Sequence, residues 1–540
     1  MSTLRRLALG VGALAALIVT SDLLIAQCEL EVQEFAPPDG QAGDAFAYRI
    51  ARSGDLGVMA APFDDDLGLD AGSAYVYERD SLAGWVLSAK LLPSNGAAGD
   101  AFSYSVAIAG RTVLVGAPGH DASVPDRGIV YAFERDRSGA WREIVRFAPP
   151  RAQAGARFGA SLATHGDRFL VGMPYVGRPV AGAALLYRRD PANLRGWSVE
   201  LEFSAEDPAT APAFGHAVAL AEDVLAVSGS TESVQPYSGS YVVHIRERDA
   251  GGPGNWGEVR SIASPTGTRD IFGYRLALDG ELLAIVAPGE LNPRTFEYGA
   301  LYLIARGEGG ASGWGLARRL HSTNTRNGLF TAELSVLAGD WLVAALPTGS
   351  ATGSVHVFGR NVGGPETWGE VVRLEDLDLE EGAGFGQGLA LEGDELLVGA
   401  SGYSFTDVSG EVYVYDLARL ARAEWRGDTL GVNVDSYNAG PAVLGETFVA
   451  TVDLATTGHP TAILSCFTDA AEIELPGGQV ALGQDRCFRR ASSGPLARFE
   501  FAIPNIPSLC GRTFVTQAAH VGGGLPFVLS NAQDVVIGVR

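Results

Sequence analysis

The chain has 540 residues, more than one ordinary hydrophobic core organises, so two domains or one large repeat architecture are expected. It is 46% hydrophobic and 19% charged, as globular proteins are, and its 70 glycines are nearly twice the usual share, which favours many tight turns over long helices. The formal charge of −23 repels phosphate backbones and anionic lipid, which excludes nucleic acid as a partner and favours divalent cations.

The first segment has the layout of an export signal. "MSTLRR" supplies two arginines, "LALGVGALAALIV" an apolar run and "TSDLLIAQC" a polar exit, giving a signal peptide over residues 1–26 with cleavage after Ser21 or Ala26. Gln27 stands where a lipoprotein box needs a small residue, and Asp22 interrupts the run before it reaches spanning length. No later segment is a transmembrane candidate. A secreted or cell-envelope, cell-surface protein is expected, with no membrane span once the signal is removed.

A repeat then sets in. Phe46, Phe102, Phe158, Phe214, Phe272, Phe330 and Phe385 are separated by steps of 56, 56, 56, 58, 58 and 55 residues. Gly follows directly at 159, 215, 273 and 386. Sixteen residues after each Phe (seventeen at Pro347) a small-residue element ends: "AAP" at Pro62, "GAP" at Pro118, "GMP" at Pro174, "SGS" at Ser230, "VAP" at Pro288, "ALP" at Pro347 and "GAS" at Ser401. Trp85, Trp141, Trp197, Trp256, Trp314 and Trp368 keep the same phase, and Trp425 falls where a seventh is expected.

Each unit reads as four short strands. In the second copy they are "FSYSVAIAG", "TVLVGAP", "GIVYAFERD" and "WREIVRFAPP", with alternating apolar positions and β-branched or aromatic residues between turn-rich loops. Seven such units predict an all-β fold whose first domain, residues 29–424, is a seven-bladed β-propeller. One four-stranded sheet cannot bury both faces, so Phe and Trp should pack between neighbouring blades, with small residues at the crowded inner rim. "ELEVQEFAPPDGQAGDAF" from Glu29 aligns without a gap on "WREIVRFAPPRAQAGARF" from Trp141. The N-terminal strand is therefore expected to complete the last blade, rather than "WRGDTLGV" doing so.

From about Arg426 the period stops. "LGVNVDSY", "ETFVATVDLA", "TAILSCF", "AEIELP", "LARFEFAIP", "RTFVTQAAHV" and "AQDVVIGVR" read as strands at regular spacing, predicting a small β-sandwich over residues 425–540. This segment resembles a C-terminal module of other exported bacterial proteins. Of the four cysteines, Cys28, Cys466, Cys487 and Cys510, none forms a C-x-x-C pair, so zinc is not indicated. In an oxidising compartment they are candidates for one or two disulfides, with the pairing open.

The Phe-Gly … Gly-Ala-Pro units resemble FG-GAP repeats, those of the integrin α-chain propeller and of many exported bacterial proteins, over roughly Glu29 to Ala418. The resemblance implies extracellular recognition of protein or glycan on one face of the disc, often with calcium in loops. The family's acidic loop between Phe-Gly and Gly-Ala-Pro is missing here; "AIAGRT" in that interval lacks carboxylates. An acidic loop comes later, in "APFDDDLGLDAG", where Asp64, Asp66 and Asp70, with Asp65 among them, are candidate calcium ligands or a solvated acidic turn.

No catalytic pattern stands out. His120, His165, His216, His244, His321, His356, His459 and His520 are scattered, and no H-E-x-x-H, G-x-S-x-G elbow, P-loop or dinucleotide fingerprint occurs. "RGD" at Arg426–Asp428 is three letters at a predicted domain junction and carries no weight. The expectation is a non-enzymatic binding or adhesion protein presenting propeller loops to an extracellular protein or glycan. The alternatives are an extracellular polysaccharide-acting enzyme with its site at the disc centre, and a structural envelope component.

Overall fold

A computed structural model describes residues 30–538 except 122–123, 152–153, 175–181, 191–192, 205–212, 231–240, 267–269, 292–297, 309–312, 321–333, 348–351, 363–366, 376–378, 380–381, 403–408, 421, 427–436, 440–441, 444–445, 456–459, 470–472, 475–479, 482–483, 494–495, 504–512 and 522–527. The export signal and Phe330 lie outside the described residues.

Among the described residues, seven four-stranded antiparallel sheets follow one another along the chain. In the first, Ile50–Ser53, Leu56–Ala61, Ser73–Asp80 and Gly84–Leu91 pair in sequence order. The innermost strands of the next six are Ser105–Ala109, Ser161–His165, Val218–Leu220, Leu276–Asp279, Leu334–Ala338 and Phe385–Glu392. Each touches the innermost strand of the next sheet, and the last touches the first. The sheets therefore stand radially around a channel, as in a β-propeller. The last sheet draws only three strands from the end of the run; its fourth is Glu31–Phe35, paired antiparallel with Glu411–Asp416. The expected closure by the N-terminal strand is what the pairing shows.

The repeated Phe explains how sheets are joined. Phe46, Phe102, Phe158, Phe214, Phe272 and Phe385 are all buried, each worth about 1.5–3 kcal/mol of burial. Their backbones bond backwards: Phe102 N–H donates to Ala71 O of the first sheet at 2.9 Å, and Phe158 N–H to Arg127 O at 3.1 Å. Their rings point forwards, edge-on to a Tyr of their own sheet, Phe102 on Tyr131 at 5.3 Å and Phe272 on Tyr302 at 5.2 Å. The residue after each described Phe has positive φ, from Ala47 (64°) and Ser103 (76°) to Gly386 (93°). That turn is why the predicted strand "FSYSVAIAG" begins only at Ser105: the chain cannot stay extended between Ala101 (φ 50°) and Ser103.

The Trp series marks the outer strands and ties each sheet to the one before. Trp85 Nε1–H donates to Glu395 of the seventh sheet at 3.2 Å, Trp256 to Glu200 of the third at 3.1 Å, and Trp314 to Glu247 of the fourth at 2.7 Å. Arginines reinforce the same junctions, Arg79 on Glu395 at 2.6 Å and Arg306 on Glu247 at 2.9 Å.

Beyond the propeller, Arg422–Arg426 pairs with Val528–Gly538, which continues through Thr513–Val521 and Thr461–Asp469 to Gln484–Ser493. A second sheet joins Tyr437–Ala439, Thr447–Asp453 and Leu496–Ala502. Phe448, Val452 and Phe499 of one sheet and Leu464, Ala518 and Val535 of the other form one buried cluster. Trp425, expected at a seventh outer-strand position, instead faces Gln533 in the register of this C-terminal sheet. The outer edge it would have filled is already taken by Glu31–Phe35. The strand Gln484–Ser493 was not foreseen, because "QDRCFRRASS" lacks an apolar alternation. Cys466 and Cys487 lie on adjacent strands of this sheet, while Cys28 and Cys510 lie outside the described residues.

Candidate functional site

The strand before the Gly-Ala-Pro element runs back towards the Phe end of the innermost strand, so the Phe turns and the loops after Gly-Ala-Pro share one face of the disc. Two positions beyond each Phe set the rim of the channel there. Offsets of two and three give Tyr48–Arg49, Tyr104–Ser105, Ala160–Ser161, His216–Ala217, Tyr274–Arg275 and Gln387–Gly388, with Ala332–Glu333 outside the described residues. Below the rim the channel is lined mainly by apolar side chains, among them Val106, Leu162, Val218, Leu276, Val336 and Leu389.

The rim itself is aromatic and basic. A cavity of about 160 Å³ is bounded by Arg49, Tyr104, Ser161, His216 and Arg275, and adjoins one of about 180 Å³ that adds Phe63, Asp126 and Arg157. The guanidinium of Arg49 lies 4.3 Å from the Tyr48 ring centroid, and that of Arg275 lies 4.4 Å from the Tyr274 ring. Arg49 Nη1 donates to Tyr48 O at 2.7 Å and to Gln387 O at 3.0 Å, which links the first sheet to the seventh. Burial, with the charge of Arg275 3.3 Å away, pushes the His216 imidazole down to about 3, so it is neutral at physiological pH. Tyr48 and Tyr104 stand 5.7 Å apart, ring to ring.

The acidic loop is organised around a lysine. Lys90, on the outer strand of the first sheet, places Nζ 2.8 Å from Asp64, 2.8 Å from Asp66 and 2.9 Å from Asp39. Asp64 is 2% exposed; its Oδ2 also accepts from Ser73 Oγ at 2.8 Å, and its Oδ1 from Asp66 N–H at 3.0 Å. Burial alone would depress the Lys90 ammonium, but the bonds to Asp64 and Asp66 outweigh it and hold the ammonium above its usual range. Asp70 stays out of the cluster: its N–H donates to Asp65 Oδ1 at 2.8 Å and its carbonyl accepts from Ala101 N–H at 3.1 Å. Of the three predicted ligands, the fold thus gathers two, around a cation of its own. Calcium takes six to eight oxygens; here an ammonium already fills the centre, so these residues do not fit calcium. Among the described residues no group of three or more His, Cys, Asp or Glu is arranged to hold a metal.

The same place is rebuilt in other sheets. In the second, His120 replaces Asp64, bonded to Asp100 at 3.0 Å, and Arg146 lies 5.8 Å from the Tyr131 ring as Lys90 lies 5.2 Å from Tyr75. In the fifth, Glu290 pairs with Arg319, which lies 5.7 Å from the Tyr302 ring. One further arrangement has the order of a hydrolytic triad: Ser354 Oγ lies 3.4 Å from His356 Nε2, and His356 Nδ1 lies 2.6 Å from Glu370. Ser354 is 1% exposed and His356 fully buried, and neither rim cavity is lined by them, so no substrate reaches this hydroxyl.

Sequence reading found the acidic loop but missed the rim. Its signal, polar or aromatic residues at fixed offsets from the Phe, is visible only once the copies are stacked as a ring. No curated protein matches the chain. A family model for the FG-GAP repeat matches residues 30–77, 85–133 and 368–415. Each matched segment begins at or near an outer strand and ends in the third strand of the following sheet, so it spans the same sheet-to-sheet junction that Phe and Trp hold together. The three matched segments are FG-GAP repeats, and the four-stranded antiparallel sheets fit an FG-GAP β-propeller.

Proposed function

We propose that this is an exported, non-enzymatic binding or adhesion protein that presents the loops on its Phe-turn face to an extracellular protein or glycan, acting as a secreted or envelope-bound module. The observation that carries the reading is the channel: lined mainly by apolar side chains, with a cluster of aromatic and basic groups at the rim on the face where the loops after Gly-Ala-Pro also emerge. Polysaccharide hydrolysis at the disc centre needs a pair of carboxylates flanking the bond, and the rim offers Asp126 as the one carboxylate among the described lining residues. Loops on a rigid scaffold are where recognition residues gather.

The test is binding of the chain without residues 1–26 to arrays of glycans and extracellular proteins. Saturable binding is expected, weakened at least tenfold when Asp65–Asp70 is replaced by a Gly-Ser linker of equal length. Cleavage of an arrayed polysaccharide, or no binding by a folded sample, would overturn it.

A further inference from the structure

Several guanidinium groups elsewhere in the ring are matched to carboxylates. Arg52 pairs with Glu395, Arg168 with Glu200, Arg189 with Glu134 and Arg306 with Glu247. Arg49 departs from this pattern. Its hydrogen bonds go to two backbone carbonyls through Nη1, and among the described residues it has no carboxylate within 4 Å. It is half-buried on the wall of the rim cavity, in a chain whose net charge is −23. A half-buried guanidinium that bonds only backbone carbonyls among the described residues is the fork that recognises a carboxylate through two parallel hydrogen bonds.

We propose that the channel rim is a carboxylate-binding site that receives an aspartate or glutamate side chain from a partner protein, with Arg49 as its anchor. The inference rests on the binding-module reading and gives it a ligand chemistry. The cavity at Arg49, about 160 Å³, has room for one inserted side chain. Ring geometry argues against a sugar. Tyr48 and Tyr274 each have a face covered by their own arginine, and His216 lies 4.8 Å from the Tyr241 ring and 5.5 Å from the Tyr274 ring, so the platforms a pyranose would stack on are taken. His216, neutral, can donate or accept beside the incoming group, and the channel beneath has no carboxylate among its described lining residues. Excluding water from the Arg49 contact strengthens it relative to a surface pair.

The experiment titrates the chain without residues 1–26 with three probes by calorimetry: hexapeptide pools with a fixed central glutamate, the same pools with glutamine, and trigalacturonate. The glutamate pools are expected to bind at least tenfold more tightly than the glutamine pools. Arg49→Gln should abolish that preference, Arg49→Lys retain part of it, and Ala160→Leu, which fills both cavities without touching a charge, remove binding while thermal melting shows each variant folded. Equal affinity for the two pools, or an undiminished preference in Arg49→Gln, overturns the site. Binding of trigalacturonate alone overturns the peptide occupant. The binding-module reading is judged separately on the arrays, so array binding that survives Arg49→Gln and Ala160→Leu would sink this inference and leave that reading standing.

Discussion

A Cβ placed on Gly116 would lie 2.2 Å from the carbonyl oxygen of Gly159, the residue that follows the next Phe in the series. Gly172 meets Gly215 O at 2.0 Å and Gly399 meets Ala47 O at 2.4 Å in the same way. The Gly of Gly-Ala-Pro and the Gly of Phe-Gly are thus two halves of one contact between neighbouring sheets: the first lacks a side chain so that the second, in its left-handed turn, can lay its carbonyl across the strand. Gly116→Ala is expected to cost about 1–3 kcal/mol, since backbone on both sides must shift, with a clearly lower denaturant midpoint. Gly110 offers the comparison, with φ +61° but open space around its Cβ, so Gly110→Ala should cost about 1 kcal/mol from backbone strain alone. Equal losses at the two positions would show that the close approach adds nothing.

Among the elements, the loop Asp64–Asp70 and the outer strand Gly84–Leu91 are one unit through Lys90. Taking away the ammonium leaves Asp64 buried and charged without its partner, a change that typically costs about 3–5 kcal/mol. Lys90→Met should therefore melt well below the wild type. Millimolar calcium should recover part of that loss in the variant, because its carboxylates then lack a cation, while leaving the wild-type melting temperature unmoved. If calcium raised the wild type as much as the variant, the lysine would not be the cation these carboxylates are built around. The recurrence of an acid or histidine, a tyrosine and an outer-strand cation in the first, second and fifth sheets makes this a property of the repeat, set by strand register, and not an accident of one loop.

At the scale of the whole ring, closure depends on five residues. Glu31–Phe35 covers the edge of Glu411–Asp416 and also grips the first sheet: Gln33 Nε2 donates to Trp85 O at 2.9 Å, Gln33 Oε1 accepts from Trp85 N–H at 2.7 Å, and the Phe35 ring lies tilted against Tyr77 with centroids 4.5 Å apart. Deleting residues 29–36 from the chain without residues 1–26 should lower the melting temperature by more than 5 °C and produce dimers or larger species through the bared strand edge, read by light scattering. A deletion that melted like the wild type and stayed monomeric would mean the ring closes without it.

How much of this was legible in the chain follows from the range of each interaction. Strand alternation and the Phe and Gly-Ala-Pro spacings are local and repeated seven times, and the Trp spacing six times, so the all-β class, the propeller and even the closing strand could be read from residue order. Loss of the repeat signal also marked where the propeller ends, but the partner of Trp425 could not be read, because pairing with Gln533 over a hundred residues away competes with a ring position already filled. The acidic loop was legible as charge, yet whether it meets a metal or a lysine depends on the register between two strands of the first sheet. The rim was not legible at all: Arg49, Tyr104, His216 and Arg275 are brought together only by closing the ring, since each sits on a different sheet and no spacing within one copy points at another. Sequence periodicity determined the scaffold because backbone pairing and burial repeat with the chain; the tertiary structure alone decided the site, because a channel has no walls until the last sheet meets the first.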